Sequence, residues 1–192
     1  MDTLGAQTST TRPLRADARQ NHGRLVEAAA DSIRELGPNV SLEEVAKRAG
    51  VGIGTLYRHF PNRQALLEAV YLDQVNINCA RGRELLATML PSDALPLWLR
   101  SLLTYNLNMR GLKEALMAGE ISPRTSECKA RMHEVGGELL ARAQEVGAVR
   151  RDLEITDLLR LVHSIALMVE PGAEGVARAE RVFEVMVAGL KG

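Results

Sequence analysis

From Leu25 onward, apolar residues return every three or four positions, the period of a helix with one buried face, and the runs are cut by glycine, proline and capping residues. The first run, Leu25, Ala28, Ala29, Ser32, Ile33 and Leu36, stops at Gly37-Pro38, a helix end followed by a residue that cannot continue it. Ser41 stands three residues before Glu44, a capping box, and opens a short helix with Leu42, Val45, Ala46 and Ala49 on one face. Gly50 supplies the positive φ of a tight turn and Val51 plugs the corner. A second short helix from about Gly52 then buries Leu56 and Phe60, four residues apart. Asn62 caps a long helix that carries Leu66, Leu67, Val70, Tyr71, Val75 and Ile77 toward Met89.

Beyond Pro91 nothing reads as a strand, and the fold class is all-α. Ser92-Asp93 is expected to cap a helix through Leu95, Trp98, Leu99, Leu102, Leu103 and Leu107, with Pro96 tolerated in the first turn. Gly111 and Gly119 bracket a short piece around Leu112 and Leu116. Ser122-Pro123 opens a helix to Gly147, inside which Gly136-Gly137 either makes a kink or admits a close neighbour. After the polar Arg150-Arg151-Asp152, two apolar helices follow, about Ile155 to Glu170 and Glu174 to Leu190, divided by Pro171-Gly172.

Two short helices joined by a glycine turn, Ser41 to Arg63, form a helix-turn-helix. With Leu56 and Phe60 inward, steps of about 100° place Gly54, Thr55 and Arg58 on the outer face of the second helix, flanked by Tyr57 and His59. That face is small, polar and partly basic, suited to phosphate oxygens and base edges in a major groove. Ile53 falls between two roles, burial at the inner edge or apolar contact with a thymine methyl.

The charge distribution adds little by itself. The 192 residues carry 24 Lys plus Arg and 24 Asp plus Glu, and 46% are apolar, enough for a packed core. Nine basic residues face six acids between Arg12 and Arg63, whereas from Tyr71 onward fifteen face sixteen. Residues 1–18 lack an apolar period and read as a disordered basic arm with Arg12 and Arg15, followed by Arg19 as the helix begins. Such an arm is either a solvated tail or a strand of chain that follows the DNA backbone. No apolar run is long enough to span a membrane and no secretory signal is evident, so the expected compartment is the cytoplasm. Cys79 and Cys128 suit plain thiols, and neither they nor the histidines show zinc spacing. No nucleophile elbow, zinc-protease helix or phosphate loop is present, so neither an enzyme nor a cofactor is expected.

SLEEVAKRAGVGIGTLYRHFPNRQALLEAV, preceded by RLVEAAADSIRELG, resembles the DNA-binding signature of the TetR/AcrR family of transcriptional regulators, over about Arg24 to Val70. The resemblance implies phosphate contacts at Ser41, Thr55, Tyr57, His59 and Arg63, and residues over the bases at Gly52, Ile53, Thr55 and Arg58. Many relatives carry Ser or Thr where this chain has Gly52, so one capping hydroxyl is missing. VRRDLEITDLLRLV and VMVAGLKG resemble parts of the family's second domain. The implied organisation is an arm over 1–18, a DNA-binding unit over 19–62 and a ligand-binding and dimerisation domain over 63–192. The implied function is a repressor released from a palindromic double-stranded operator by a small molecule. The alternative is a constitutive DNA-binding dimer, or a helical interaction module, with no effector.

The last two helices carry more apolar surface than one stripe, which suggests pairing with a second copy as a four-helix bundle. The residues expected at that homodimer contact are Leu158, Val162, Ile165, Val169, Val182, Phe183, Met186 and Leu190. Trp98, Tyr105, Asn106, Met109, Met117, His133, His163 and Ser164 are the aromatic, soft or polar side chains on otherwise apolar helices. They are either ordinary core residues or the lining of an apolar cavity with a few polar anchors.

Overall fold

A computed structural model describes residues 11–191, with side chains from Asp17 onward. Its helices are α1 Thr11–Leu36, α2 Leu42–Arg48, α3 Ile53–His59, α4 Arg63–Thr88, α5 Pro91–Asn108, α6 Leu112–Met117, α7 Pro123–Glu145, α8 Ile155–Leu167 and α9 Ala173–Ala188. Among the described residues there is no strand, and no helix is long and apolar enough to cross a membrane. Most of the arm expected over residues 1–18 lies outside the described residues or without described side chains. From Thr11 the backbone is already helical, with Pro13 in the first turn, where its missing N–H breaks no hydrogen bond.

The N-terminal unit packs α1, α2 and α3 around Leu25, Ala29, Ile33, Val45, Ala46, Leu56 and Phe60, all buried. Val51 N–H bonds the Ala46 carbonyl at 3.0 Å across the turn, where Gly50 adopts φ +65°. Ser41 and Asn62 cap as expected, accepting the N–H groups of Glu44 and Ala65 at 3.1 and 2.9 Å. The cap expected at Ser92 lies two residues earlier, at Leu90: α5 begins at Pro91, and the Leu90 carbonyl accepts the N–H groups of Asp93 and Ala94, each at 2.9 Å. Proline at the first helical position is preorganised and forfeits no bond there.

In the C-terminal region α4, α5, α7 and α8 enclose one apolar core, and α9 lies against α5 and α8. Helix α7 runs unbroken through Gly136-Gly137, so the glycines serve close approach. A Cβ on Gly136 would stand 2.6 Å from the Trp98 ring, and one on Gly82 of α4 would stand 2.4 Å from Val135. Trp98 fills the slot between these glycines, fully buried, and its Nε1 donates to the Asn78 carbonyl at 2.9 Å. On α9, Glu180 and Glu184 both accept from the Arg100 guanidinium, which also lies 5.0 Å over the Phe183 ring.

Candidate DNA-binding face and ligand cavity

Helix α3 is held from below by Leu56 and Phe60, and its other side is open. Ile53, Gly54, Tyr57 and Arg58 are exposed, so Ile53 stands on the outer face rather than in the core. Thr55 is half-buried, and its Oγ1 accepts from Arg58 Nη2 at 3.0 Å, which leans the guanidinium along the helix. Gly52 caps the helix with its backbone alone, its carbonyl accepting the Thr55 N–H at 2.8 Å. The exposed Ser41 hydroxyl accepts one bond in its capping role and keeps its own proton to donate. Arg19 is exposed on α1.

Two side chains differ from expectation. Arg63 turns inward, its Nη1 donating to the Val40 carbonyl at 2.6 Å, and its other terminal nitrogen is buried without a partner among the described residues. The guanidinium thus ties the α1–α2 turn to the start of α4 instead of standing out as a free phosphate ligand. His59 is half-buried, its ring edge-on to His22 with centroids 6.0 Å apart, and both rings lie beside Phe60. Burial, then the nearby His59 and Arg124, lower the His22 pKa against the opposing influence of Asp73. A second arginine missed by sequence reasoning also holds the unit: Arg24 donates to the Ala49 carbonyl at the end of α2, at 2.5 Å. Its place on α1, just before the apolar run that begins at Leu25, looks like that of any solvent-facing cation.

A cavity of about 150 Å³ opens between α4, α5, α6, α7 and α8. Tyr105, Asn106, Met109, Met117, His133 and His163 all line it. Trp98 does not, because the two glycines draw its ring into the core, and Ser164 is exposed outside it. The charged residues at the cavity, Arg110, Lys113, Glu114 and Lys129, carried no sequence signal that set them apart from solvated charges. His163 Nε2 lies 3.1 Å from Glu114 Oε1. Burial, then Lys113, lower the His163 pKa while Glu114 opposes them, which favours the neutral ring. Burial raises the Tyr105 phenol, so it stays protonated. Among the described residues no cluster of three His, Cys, Asp or Glu side chains could hold a metal ion.

Residues 25–70 match the family model described as bacterial regulatory proteins, tetR family, and residues 90–192 match the C-terminal domain of SbtR-like transcriptional regulators. The chain belongs to the TetR family of transcriptional regulators. A TetR regulatory protein of Mycobacterium vanbaalenii has a similar crystal structure, with 36% identity, a TM-score of 0.71, and coverage of 94% of this chain and 100% of that one. A TetR regulator of Streptomyces coelicolor is 31% identical, with a TM-score of 0.71 over 88% of this chain and 98% of its own. An HTH-type transcriptional regulator of Staphylococcus aureus is 43% identical over 54 residues, which are 28% of this chain and 29% of that relative's length. Members of the TetR family are DNA-binding regulators and not enzymes.

In this TetR chain the residues expected at the dimer contact lie mainly inside the protomer. Leu158, Val162, Ile165, Val169, Phe183 and Leu190 are buried in its own core, and Val162 also lines the cavity. Val182 and Met186 are half-buried. The large apolar side chains left exposed on α8, at its C-terminal cap and on α9 are Leu161, Leu167, Met168, Val176 and Val185, the last 73% exposed, and Leu167 also borders the cavity. Both sides of these helices are apolar, so their period did not say which side faced in.

Proposed function

We propose that this TetR-family chain is a cytoplasmic, homodimeric repressor that reads a palindromic operator with α3 and is released when a small molecule fills the cavity. The exposed face Ile53, Gly54, Tyr57 and Arg58 over the buried Leu56 and Phe60 is the observation that carries the reading, since an interaction module without DNA binding has no need of it. Thr55, with Arg58 bound to its hydroxyl, adds a paired donor and acceptor at the same surface. Ser41, Tyr57 and Arg19 serve the phosphates, and His59 reaches the backbone only from the edge of the face. The outward residues Leu161, Met168, Val176 and Val185 form the contact between copies.

The release route runs through α6. This helix supplies Lys113, Glu114 and Met117 to the cavity, and its Leu116 carbonyl accepts from Gln64 Nε2 at 2.7 Å. Gln64 adjoins Arg63, which grips the Val40 carbonyl just before the α2 cap Ser41. Pro38 of the same turn touches Gly111, where a Cβ would stand 3.0 Å from its ring. A ligand that displaces α6 therefore pulls on the first turn of α4 and on the α1–α2 turn together. Two recognition helices must match successive grooves about 34 Å apart, so a small displacement weakens both half-sites at once. The expected coupling is of the order of 1–3 kcal/mol and is reciprocal. Operator affinity measured by fluorescence anisotropy, with and without a cavity ligand, tests it. An unchanged affinity under saturating ligand would leave a constitutive DNA-binding dimer.

A further inference from the structure

The cavity has a charge balance that its apolar walls do not require. Tyr71, Val75, Leu102, Tyr105 and Met109 form its body. Arg110, Lys113 and Lys129 also line it, against a single carboxylate, Glu114, so three cations face one anion. That anion is already engaged by His163 at 3.1 Å. Arg110 gives a nitrogen to the Val169 carbonyl, a neutral acceptor. Among the described residues, neither Lys113 nor Lys129 forms an ion pair. Partial removal from water lowers the Lys113 pKa, and Lys129 pushes the same way while Glu114 opposes. Both lysines stand exposed at the rim of the cavity, and an anion placed between the two ammonium groups relieves the repulsion that Lys129 exerts on Lys113. The space of about 150 Å³ is of the size that accepts one benzene ring.

We propose that the cavity takes a small organic anion: one aromatic ring, or an apolar body of that size, bearing a carboxylate. The body lies against Tyr71, Tyr105 and Met109, and the carboxylate sits at Lys113 and Lys129. This inference rests on reading the cavity as the effector site and adds the chemical class of its occupant. Without those two lysines the apolar walls would select for shape and not for charge.

Benzoate, benzamide and benzylamine share a ring and differ in charge, so titration calorimetry of the full chain with each compound separates the alternatives. Benzoate is expected to bind at least tenfold tighter than benzamide, with benzylamine weakest. In the double variant Lys113→Gln/Lys129→Gln that preference is expected to vanish, with benzoate falling to the level of benzamide. Benzamide or benzylamine binding as tightly as benzoate overturns the proposal, as does an undiminished preference in the double variant. Failure of all three to bind at millimolar concentration overturns it too. Operator binding is measured separately in the presence of benzoate: benzoate bound in the cavity with operator affinity unchanged upholds the anion preference and removes the effector role.

Discussion

Replacing Arg63 with alanine removes a hydrogen bond from a half-buried corner and leaves the Val40 carbonyl without its partner. The expected outcome is a loss of about 1–3 kcal/mol in stability, read from urea denaturation, with the salt dependence of DNA binding unchanged. A salt slope reduced by about one, at unchanged stability, would return Arg63 to the phosphate backbone. Tyr57→Ala is expected to weaken matched and mismatched DNA alike, whereas Arg58→Ala should relax sequence preference, because Arg58 stands mid-face beside Thr55. An unaltered preferred site for Arg58→Ala in a binding selection would assign it to the backbone. The glycines of α7 give a paired test. Gly136→Ala drives a methyl into Trp98 and Ile155 and should cost about 1–3 kcal/mol, while Gly137→Ala, with nothing near it, should be neutral or stabilising by helix propensity. Equal melting temperatures for the two variants would contradict the packing described. At this scale residue type was legible and direction was not. Arg63 and Trp98 have side chains that suit a phosphate and a ligand, and the carbonyl of Val40 and the slot between Gly82 and Gly136 that claim them arise only in the assembled fold.

Helices were legible where capping chemistry and apolar period agreed, as at Ser41 and Asn62. The start of α5 differs from expectation because Ser92-Asp93 and Pro91 are both good starts, and proline at the first helical position places the boundary two residues earlier. Helix α6 illustrates the other limit. Its six residues were visible between two glycines, but its position, one end in the cavity and one against α4, depends on the bond from Gln64 to Leu116 and on Gly119 lying under the Gln64 amide. Glu68 of α4 fastens the next segment, accepting from Ser122 and from Thr125 Oγ1, the latter at 2.9 Å. If α6 carries the signal, Gln64→Ala should preserve ligand binding and reduce the effect of ligand on operator affinity several-fold. Calorimetry alongside anisotropy would read both quantities. An undiminished ligand effect in that variant would move the route elsewhere, first to the contact of Gly111 with Pro38.

For the whole molecule, the division into a helix-turn-helix unit and a helical second domain follows from the same sequence features that carry the family resemblance, and the family matches over residues 25–70 and 90–192 agree with that division. The surface that joins two copies was legible only as an excess of apolar residues on α8 and α9. Its outward members, Met168 and Val185 among them, are expected to pass to the interface of a two-fold bundle. Met168→Glu/Val185→Glu should sediment as a monomer and bind operator far more weakly, since a single half-site loses the effective concentration of the linked pair. A variant that stayed dimeric would place the interface on another face.

The central claim is that α3 reads DNA in two symmetric copies. It is tested most directly by selecting binding sites from random duplexes with the full chain and sequencing the enriched pool. The account predicts an inverted repeat whose half-site centres lie about 34 Å apart, or a multiple of it, and whose enrichment is lost at the half-site centres with Arg58→Ala. A pool with no enriched sequence, or a single unrepeated half-site bound by a monomer, would contradict it.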